Sequence, residues 1–263
     1  MSLIKTPEEI AILKQGGEIL SKTLQKVMCL CVAGSKTDEL DRAACEEFKK
    51  RGAFPSFLGY QISPSDPPFP SALCVSINDE VVHGPAYPSR TIKDGDIVSL
   101  DIGCWYQGLA TDMATTVLVG EVSEEARNLA RATRESLVKS LAVVKEGALV
   151  SDIGVAIEDH LKPKGYGIVR ELVGHGVGHS IHEEPQIPHF RDPRTPKMKL
   201  VSGMVIAIEP MVTLGHWKVD VEDDGWTIKT HDKSLAAHFE VTIAVTKNGY
   251  ELITPWPDKD KKI

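Results

Sequence analysis

The amino-acid sequence predicts an α+β fold built from two related halves around a central, largely antiparallel sheet. Helical and strand-like patterns are interspersed along the chain without the regular alternation of a doubly wound fold. A pattern of strands and carboxylates in the first half recurs, by chemical type, in the second. The 263 residues, 42% hydrophobic and 25% charged, suffice for one large core. We therefore expect a single domain over residues 1–263.

Four helices are predicted from capping residues and apolar spacing. The first begins after Thr6, which can cap it, because Pro7 suits the first turn and Glu9 can close a capping box. Each of the other three helices is predicted to lie between a residue that favours a helix start and a residue that favours a helix end. These pairs are Thr37 and Gly52, Ser123 and Gly147, and Ser151 and Pro163.

Five apolar runs between these helices are typical of strands. They cover residues 72–78, 97–102, 111–119, 204–209 and 239–246. The segment 61–70 is rich in proline and is predicted to be an irregular loop.

The internal repeat is the most informative pattern. Its matched segments are 95–101 (GDIVSLD) with 203–209 (GMVIAIE), and 111–117 (TDMATTV) with 239–245 (FEVTIAV). In each half a glycine leads into an apolar strand that ends in a carboxylate, and a second strand begins with another carboxylate. His83 precedes the first copy and His175 precedes the second. Two similar halves would bring four carboxylates and two imidazoles to a shared centre.

A metal centre explains these carboxylates best. A single carboxylate at a strand end is usually solvated, but all four adjoin apolar strands that lack a local lysine or arginine. Burial without a counter-charge would cost several kcal/mol per ion. Four carboxylates and one imidazole suit two divalent first-row metals, which can activate water and polarise an acyl carbonyl. The predicted ligands are Asp101, Asp112, His175, Glu209 and Glu240.

A second cluster of chemistry-bearing residues is GHGVGHSIHEEP at 174–185, with three histidines between glycines that permit close backbone approach. His182-Glu183 begins like the zinc motif H-E-x-x-H. Gln186 stands where the second histidine is required, and Pro185 would break the helix, so that motif is rejected. His179 has no evident partner and is expected on the surface or in a loop.

Composition excludes several classes of protein. Thirty Lys and Arg against 37 Asp and Glu give a net charge of −7, which disfavours binding to DNA. No apolar run reaches the roughly 18–20 residues of a membrane span, and the first residues lack the apolar core of a signal peptide. Five cysteines without a C-x-x-C pair favour a reducing compartment, and we expect a cytoplasmic protein.

Several motifs together resemble the type I methionine aminopeptidases over essentially the whole chain. They are SINDEVVHG (76–84), LDIG with TDMATT, GHGVGHSIHEEP, VIAIEP, DGWT (224–227) and FEVT. The resemblance implies the pita-bread (creatinase/aminopeptidase) fold, whose pseudo-twofold halves agree with the repeat. It also implies a catalytic domain that removes the N-terminal methionine of nascent or new proteins when the second residue is small. The chain looks like the short bacterial form, which lacks an N-terminal zinc-finger extension.

The resemblance also implies cofactors and residue roles. Two divalent ions (Co, Mn, Fe or Zn) would be held by Asp101 on one side, by His175 and Glu209 on the other, and by Asp112 and Glu240 between them. Glu209 would also move a proton, His182 would stabilise the oxyanion, and His83 would contact the peptide nitrogen or leaving group. These are the acid–base and electrostatic tasks of peptide hydrolysis.

The methionine pocket is implied by the same resemblance, and soft sulfur and aromatic walls suit a thioether. Its predicted residues are Phe57, Tyr60, Phe69, Cys74, Ile181 and Trp226. Ile181 stands where many relatives carry an aromatic residue, and Phe57 where many carry cysteine. The 61–70 loop is longer than usual for the family.

Two other functions stay open at this point. A proline-specific aminopeptidase or dipeptidase shares the fold but usually carries a large extra N-terminal domain, for which this chain has no room. A binding protein could keep the fold without the chemistry, although five ligand positions with His83 and His182 argue against it. We expect a monomer that acts on the N-termini of nascent polypeptides. Its lysine-rich end, Lys259 to Lys262, fits transient contact with the ribosome, although such ends are more often simply solvated.

Overall fold

A computed structural model describes residues 2–64 and 66–258 of the chain. The four helices are α1 (Pro7–Leu30), α2 (Thr37–Arg51), α3 (Glu124–Leu141) and α4 (Val150–Leu161). The strands of the first half are β1 (Phe54–Pro55), β2 (Leu73–Ile77), β3 (Glu80–Val82), β4 (Ile97–Tyr106) and β5 (Leu109–Leu118). Those of the second are β6 (Gly167–Ile168), β7 (Gly174–Gly176), β8 (Glu183–Ile187), β9 (Val205–Ile208), β10 (Met211–Thr213), β11 (Val219–Val221), β12 (Ile228–Thr230), β13 (Ala236–His238), β14 (Glu240–Thr246) and β15 (Gly249–Leu252).

The main sheet confirms the predicted α+β fold with an antiparallel centre. Nine strands follow the order β1-β4-β5-β14-β9-β7-β8, with β2 beside β4 and β15 beside β14. The two repeated strand pairs, β4–β5 and β9–β14, meet at the β5–β14 pairing in the middle. Two small sheets, β13-β10-β6 and β11-β12-β3, complete the fold. The repeat in the sequence thus corresponds to two matching halves joined along one seam.

Strand periodicity separates a packing face from a polar face, because successive side chains point to opposite sides of a sheet. Val98, Leu100 and Ile102 of β4 pack with α1 and α2 in one apolar cluster. Ile206 and Ile208 of β9 pack with α3 and α4 in another. Met113 of β5 belongs to the first of these clusters, and Val241 of β14 belongs to the second. The four predicted carboxylates stand at the alternate positions of these four strands and therefore face away from the helices.

The first helix begins as the sequence predicts. The backbone N–H of Glu9 donates to Thr6 Oγ1 at 3.2 Å, and the N–H of Thr6 donates to Glu9 Oε2 at 2.7 Å, which completes the capping box. α2 ends at Gly52, whose φ of 70° is left-handed as expected. Thr37 is not its cap but its first residue, because the Thr37 hydroxyl is engaged with Ala86 and Arg90.

Two further boundaries differ from the prediction. α3 is capped by Ser123 but ends at Leu141, well before Gly147. The N–H groups of Glu146 and Gly147 donate to Thr246 and Leu200 instead of continuing the helix. α4 begins at Val150, with Leu149 and not Ser151 in the capping position. It ends as expected, and a short 3₁₀ turn over 162–164 carries the chain through Pro163.

None of the helices in the described part of the chain has the length and hydrophobicity that a membrane span requires. The proline-rich segment 61–70 contains no strand or helix in its described residues, as predicted.

We expect that Gly17→Ala destabilises the fold although alanine is the better helix former. A Cβ at Gly17 would lie 1.9 Å from the carbonyl oxygen of Ile253, so α1 and the chain after β15 would have to separate. Overpacking of this kind costs about 1–3 kcal/mol, which offsets the gain of up to about 1 kcal/mol in helix propensity. The melting temperature should fall.

Gly16→Ala is the matched control, because its Cβ would meet only side-chain atoms among the described residues: Tyr106 Cβ at 3.3 Å and the Thr111 side chain from 3.6 Å. Its melting temperature should stay close to that of the parent protein. Equal stability of the two variants would contradict the close approach at Gly17.

Candidate metal centre

A cavity of about 690 Å³ lies on the polar face of the main sheet. The structure brings all the predicted catalytic and metal-binding residues to its wall. They are His83, Asp101, Asp112, His175, His182, Glu209 and Glu240. Residues far apart in the chain, from both repeated halves, therefore share one site.

Strand register places the five candidate ligands. Asp101 lies inside β4 and not at its end as predicted, because β4 continues to Tyr106. Asp112, on β5, lies opposite Gly103 of β4. Glu240 is the first residue of β14, and Glu209 directly follows the last residue of β9. His175 on β7 pairs with Ala207 of β9, so its ring reaches the same centre.

The carboxylates are buried close to one another. Asp101, Asp112 and Glu240 are 8%, 3% and 2% exposed. Burial, and to a smaller extent the neighbouring carboxylates, raise the pKa values of Asp101, Glu209 and Glu240 well above their usual range. Burial raises the pKa of Asp112 to about 7. One oxygen each of Asp101, Asp112 and Glu240 is buried and accepts no hydrogen bond from any described residue.

His175 completes a donor set suited to divalent metal ions. Its Nδ1 lies 2.9 Å from the carbonyl oxygen of Gly176, so Nδ1 carries the proton and Nε2 keeps a free lone pair. Burial lowers the pKa of His175 to about 3, which keeps the ring neutral. Ligand atoms of Asp112, His175 and Glu240 all lie within 4.8 Å of one another. Unpaired carboxylate oxygens beside a neutral imidazole fit a metal centre.

Two histidines behind Glu209 were missed by the sequence reasoning. His189 Nε2 accepts a hydrogen bond from the backbone N–H of Glu209 at 3.2 Å, and His238 Nε2 lies 3.6 Å from Glu209 Oε2. Burial lowers the pKa of each to about 3. The strand period of two could have indicated His238, which stands two residues before Glu240, whereas no local pattern marked His189.

His182 and His83 lie beside the carboxylates but are not among the five candidate metal ligands. His182 Nδ1 is 2.9 Å from the Tyr60 hydroxyl, and its ring stands edge-on to the ring of His175 at 4.6 Å. Burial lowers the pKa of His182, and lowers that of His83 to about 4. His83 has a φ of 59°, a left-handed conformation that a non-glycine residue adopts at a cost.

The predicted methionine pocket adjoins this centre. Phe57, Tyr60, Phe69, Cys74 and Trp226 all line the cavity. Phe69 and Trp226 meet edge to face, with centroids 5.2 Å apart. Ile181 packs in the same apolar cluster but is not among the described residues that line the cavity. It supports the wall and does not form its surface.

The prediction that His179 has no partner is wrong. Its Nε2 lies 2.7 Å from Glu9 Oε1, so it joins the start of α1 to the loop before β8. The local sequence around His179 could not indicate this partner, because Glu9 lies 170 residues away in the chain.

The outer part of the cavity is formed by the loop at 61–70 and by the segments on either side of β7. Ile62, Glu171, Glu184 and Gln186 line this part. The described loop is closed at its base, where the N–H of Phe69 donates to the carbonyl of Tyr60 at 2.8 Å. The lysine-rich segment from Lys259 to Lys262 lies outside the described residues.

Known proteins match this chain over almost its full length. The profile of metallopeptidase family M24 covers residues 11–247. A methionine aminopeptidase of Clostridium acetobutylicum is 42% identical over 97% of this chain and 99% of its own. The crystal structure of a methionine aminopeptidase from Thermotoga maritima superposes with a TM-score of 0.90 at 43% identity, covering 95% of this chain and 98% of the other. A prolidase from Pyrococcus furiosus shares the fold, with a TM-score of 0.77, at 24% identity.

We expect the stability of the metal-free protein to fall as the pH rises from 6.5 to 8. The raised carboxylate pKa values mean that the folded state holds more protons than the unfolded state in this range, so the free energy of unfolding decreases with pH. The buried histidines, with lowered pKa values, affect stability mainly below their unfolded pKa of about 6.5. Added Mn²⁺ binds only the folded state and should raise the melting temperature more at pH 8.

Thermal melts after chelation, with metal content measured, check this expectation. Asp101→Asn should flatten the pH dependence, whereas Asp159→Asn on the exposed face of α4 should leave it unchanged. A melting temperature that changes with neither chelation nor pH would count against a buried metal centre.

Proposed function

The chain belongs to metallopeptidase family M24 and, within it, to the methionine aminopeptidases, and from that membership we propose how its own residues remove an N-terminal methionine. The enzyme uses divalent metal and acts on the N-termini of polypeptides. One observation carries the proposal: a buried cluster of carboxylates and neutral imidazoles borders an apolar, aromatic pocket in one cavity.

Two divalent ions would be held by this cluster. Asp101 would hold one, His175 and Glu209 would hold the other, and Asp112 and Glu240 would contribute to both. The unpaired buried oxygens of Asp101, Asp112 and Glu240 support this assignment, since charge left so deeply buried needs a cation. When bound, the ions supply Lewis acidity that acidifies water and polarises a carbonyl.

Glu209 moves the proton of the reaction. Its carboxylate takes a proton from the attacking water and passes it to the departing amine, as a general base and then a general acid. Burial raises the pKa of its carboxyl group and so favours the protonated form that a proton acceptor has to reach. His189 fixes its backbone, and His238 lies against its outer oxygen.

His182 stabilises the oxyanion, and His83 contacts the leaving nitrogen. The Tyr60 hydroxyl can donate to His182 Nδ1, which leaves the proton on Nε2 for donation to the substrate oxygen. The lowered pKa of His182 keeps the ring neutral, so it acts as a hydrogen-bond donor without adding a charge beside the metal ions.

The methionine side chain enters the pocket walled by Phe57, Phe69, Cys74 and Trp226. Aromatic edges and a sulfur atom contact a thioether favourably. The residue after methionine lies toward the histidines and the cavity wall, which favours a small side chain there. Because the cavity takes residues from both halves of the chain, residues 1–263 act as one catalytic domain.

We expect Glu209→Gln and His182→Ala to lose activity for different reasons. Glu209→Gln should lower both metal content and turnover, because it removes a ligand and the proton acceptor. His182→Ala should keep its metal and lose about 10²–10³-fold in kcat, the usual effect of losing an oxyanion donor. Steady-state kinetics with metal analysis separates the two.

His231→Ala is the control for both variants, since His231 pairs with Asp220 on the exposed surface. Normal turnover in the His182 variant would remove that residue from the mechanism.

We expect a sharper preference at the second residue than at the first. One methylene in an apolar pocket is worth only about 1–3 kcal/mol, so Leu-Ala peptides should be cleaved slowly. Met-Leu should be cleaved far less well than Met-Ala, because a bulky second side chain collides with the wall and does not merely lose a contact.

Values of kcat/KM for Met-Ala, Leu-Ala and Met-Leu peptides under one metal condition test this. Equal cleavage of Met-Leu and Met-Ala would refute the preference for a small neighbour. Faster cleavage of an Xaa-Pro dipeptide would replace methionine specificity with the proline-specific alternative.

A further inference from the structure

We propose that the buried ion pair between Lys5 and Glu183 positions the His182 imidazole, which makes the segment before α1 a positioning element of the active site. Lys5 Nζ lies 2.8 Å from Glu183 Oε2, and the two side chains are only 1% and 8% exposed. Glu183 directly follows His182 in the chain. The proposal rests on the function proposed for His182.

The carboxylate of Glu183 closes the loop that carries His182. This loop, residues 178–182, follows Val177 and lies between β7 and β8. The N–H of Gly178 donates to the carbonyl of Ser180 at 3.0 Å, and the N–H of Ser180 donates to Glu183 Oε1 at 2.8 Å. One oxygen of Glu183 therefore holds the loop to itself, and the other holds it to Lys5.

The stem of Lys5 fills the space against this loop. A Cβ at Gly178 would lie 2.4 Å from Lys5 Cε, and the φ of Gly178 is 145°, so only glycine fits where the two chains pass. The backbone of Lys5 is itself fixed, because its N–H donates to the carbonyl of Gly203 at 2.8 Å. Lys5 thus joins the loop to the chain that enters β9.

A second contact holds the same loop from the same side. Glu9 Oε1 lies 2.7 Å from His179 Nε2, while the other oxygen of Glu9 caps α1. Glu9 in the first turn of α1 and Lys5, two residues before the helix, therefore hold the loop at 179 and 183. Between them His182 projects into the cavity, where Tyr60 contacts it.

Such support matters because catalytic geometry tolerates little error. A displacement of about 1 Å far from the reacting atoms can cost about 10²-fold in rate. A buried pair that stabilised only the fold would change stability without acting through His182. Kinetic coupling between the pair and His182 distinguishes these two roles.

The experiment is a double-mutant cycle on the metal-loaded enzyme with a Met-Ala peptide. Lys5→Met and Glu183→Gln are each made in the parent and in the His182→Ala background. In the parent, kcat should fall about tenfold or more with KM within about twofold, because the imidazole acts in the transition state. In the His182→Ala background the same changes should lower kcat less than about twofold, since the group they position is gone.

Lys14→Met is the control, because Lys14 on α1 forms an exposed ion pair with Glu251 of β15, away from the loop that carries His182. Its kcat should not change. Metal content should be equal in all variants, and amide hydrogen exchange in residues 178–182 should quicken in Lys5→Met but not in Lys14→Met.

A fall in kcat of equal size in both backgrounds would overturn the proposal, as would unchanged kcat in the folded variants. If Lys5→Met does not fold, the cycle uses the double variant Lys5→Met/Glu183→Gln, in which no buried charge is left unpaired; unchanged kcat there also overturns it. An inactive parent enzyme, or full turnover of His182→Ala, would instead refute the proposed function.

Discussion

The burial of several carboxylates beside one another on one face of the sheet governs the design of the active site. Asp101, Asp112 and Glu240 are nearly inaccessible to water, and the pKa values of Asp101 and Glu240 are raised chiefly by this burial and to a smaller extent by the neighbouring carboxylates. Stability has to come from elsewhere, and the two apolar clusters under the helices supply it on the opposite face of the same strands. Because successive side chains of a β-strand point to opposite faces, one strand contributes apolar residues to the core and a carboxylate to the site.

Burial has the opposite effect on the histidines around this cluster. It lowers the pKa values of His83, His175 and His182, and thereby keeps each ring neutral. A neutral ring can offer a lone pair to a metal or a single N–H to a substrate, and hydrogen bonds decide which nitrogen does so. The carbonyl of Gly176 sets this choice for His175, and Tyr60 does so for His182. The same buried environment therefore favours the protonated form of the carboxyl groups and the neutral form of the imidazoles.

Local pattern predicted most of the fold and the residues that meet at the cavity, because both obey short-range rules. Thr6 and Glu9 form their capping box from four consecutive residues, and the carboxylates of the repeat stand at matching strand positions on the cavity wall. What the sequence did not reveal depends on contacts between distant segments. The length of β4 beyond Asp101, the early end of α3, and the pairing of His179 with Glu9 were each decided by a partner that no local window contains.

The seam between β5 and β14 has a consequence for the order of events during synthesis. Asp112 and Thr242, which exchange hydrogen bonds across it, are 130 residues apart in sequence. When a ribosome has made only the first half, β5 is an edge strand with unpaired backbone groups, and Asp101 on β4 and Asp112 on β5 lack their counterparts from the second half. The emerging polypeptide therefore has to keep this edge from pairing with other chains until almost the last strand appears. The full set of candidate ligands is likewise assembled only when the seam closes, because Glu240 is the first residue of β14.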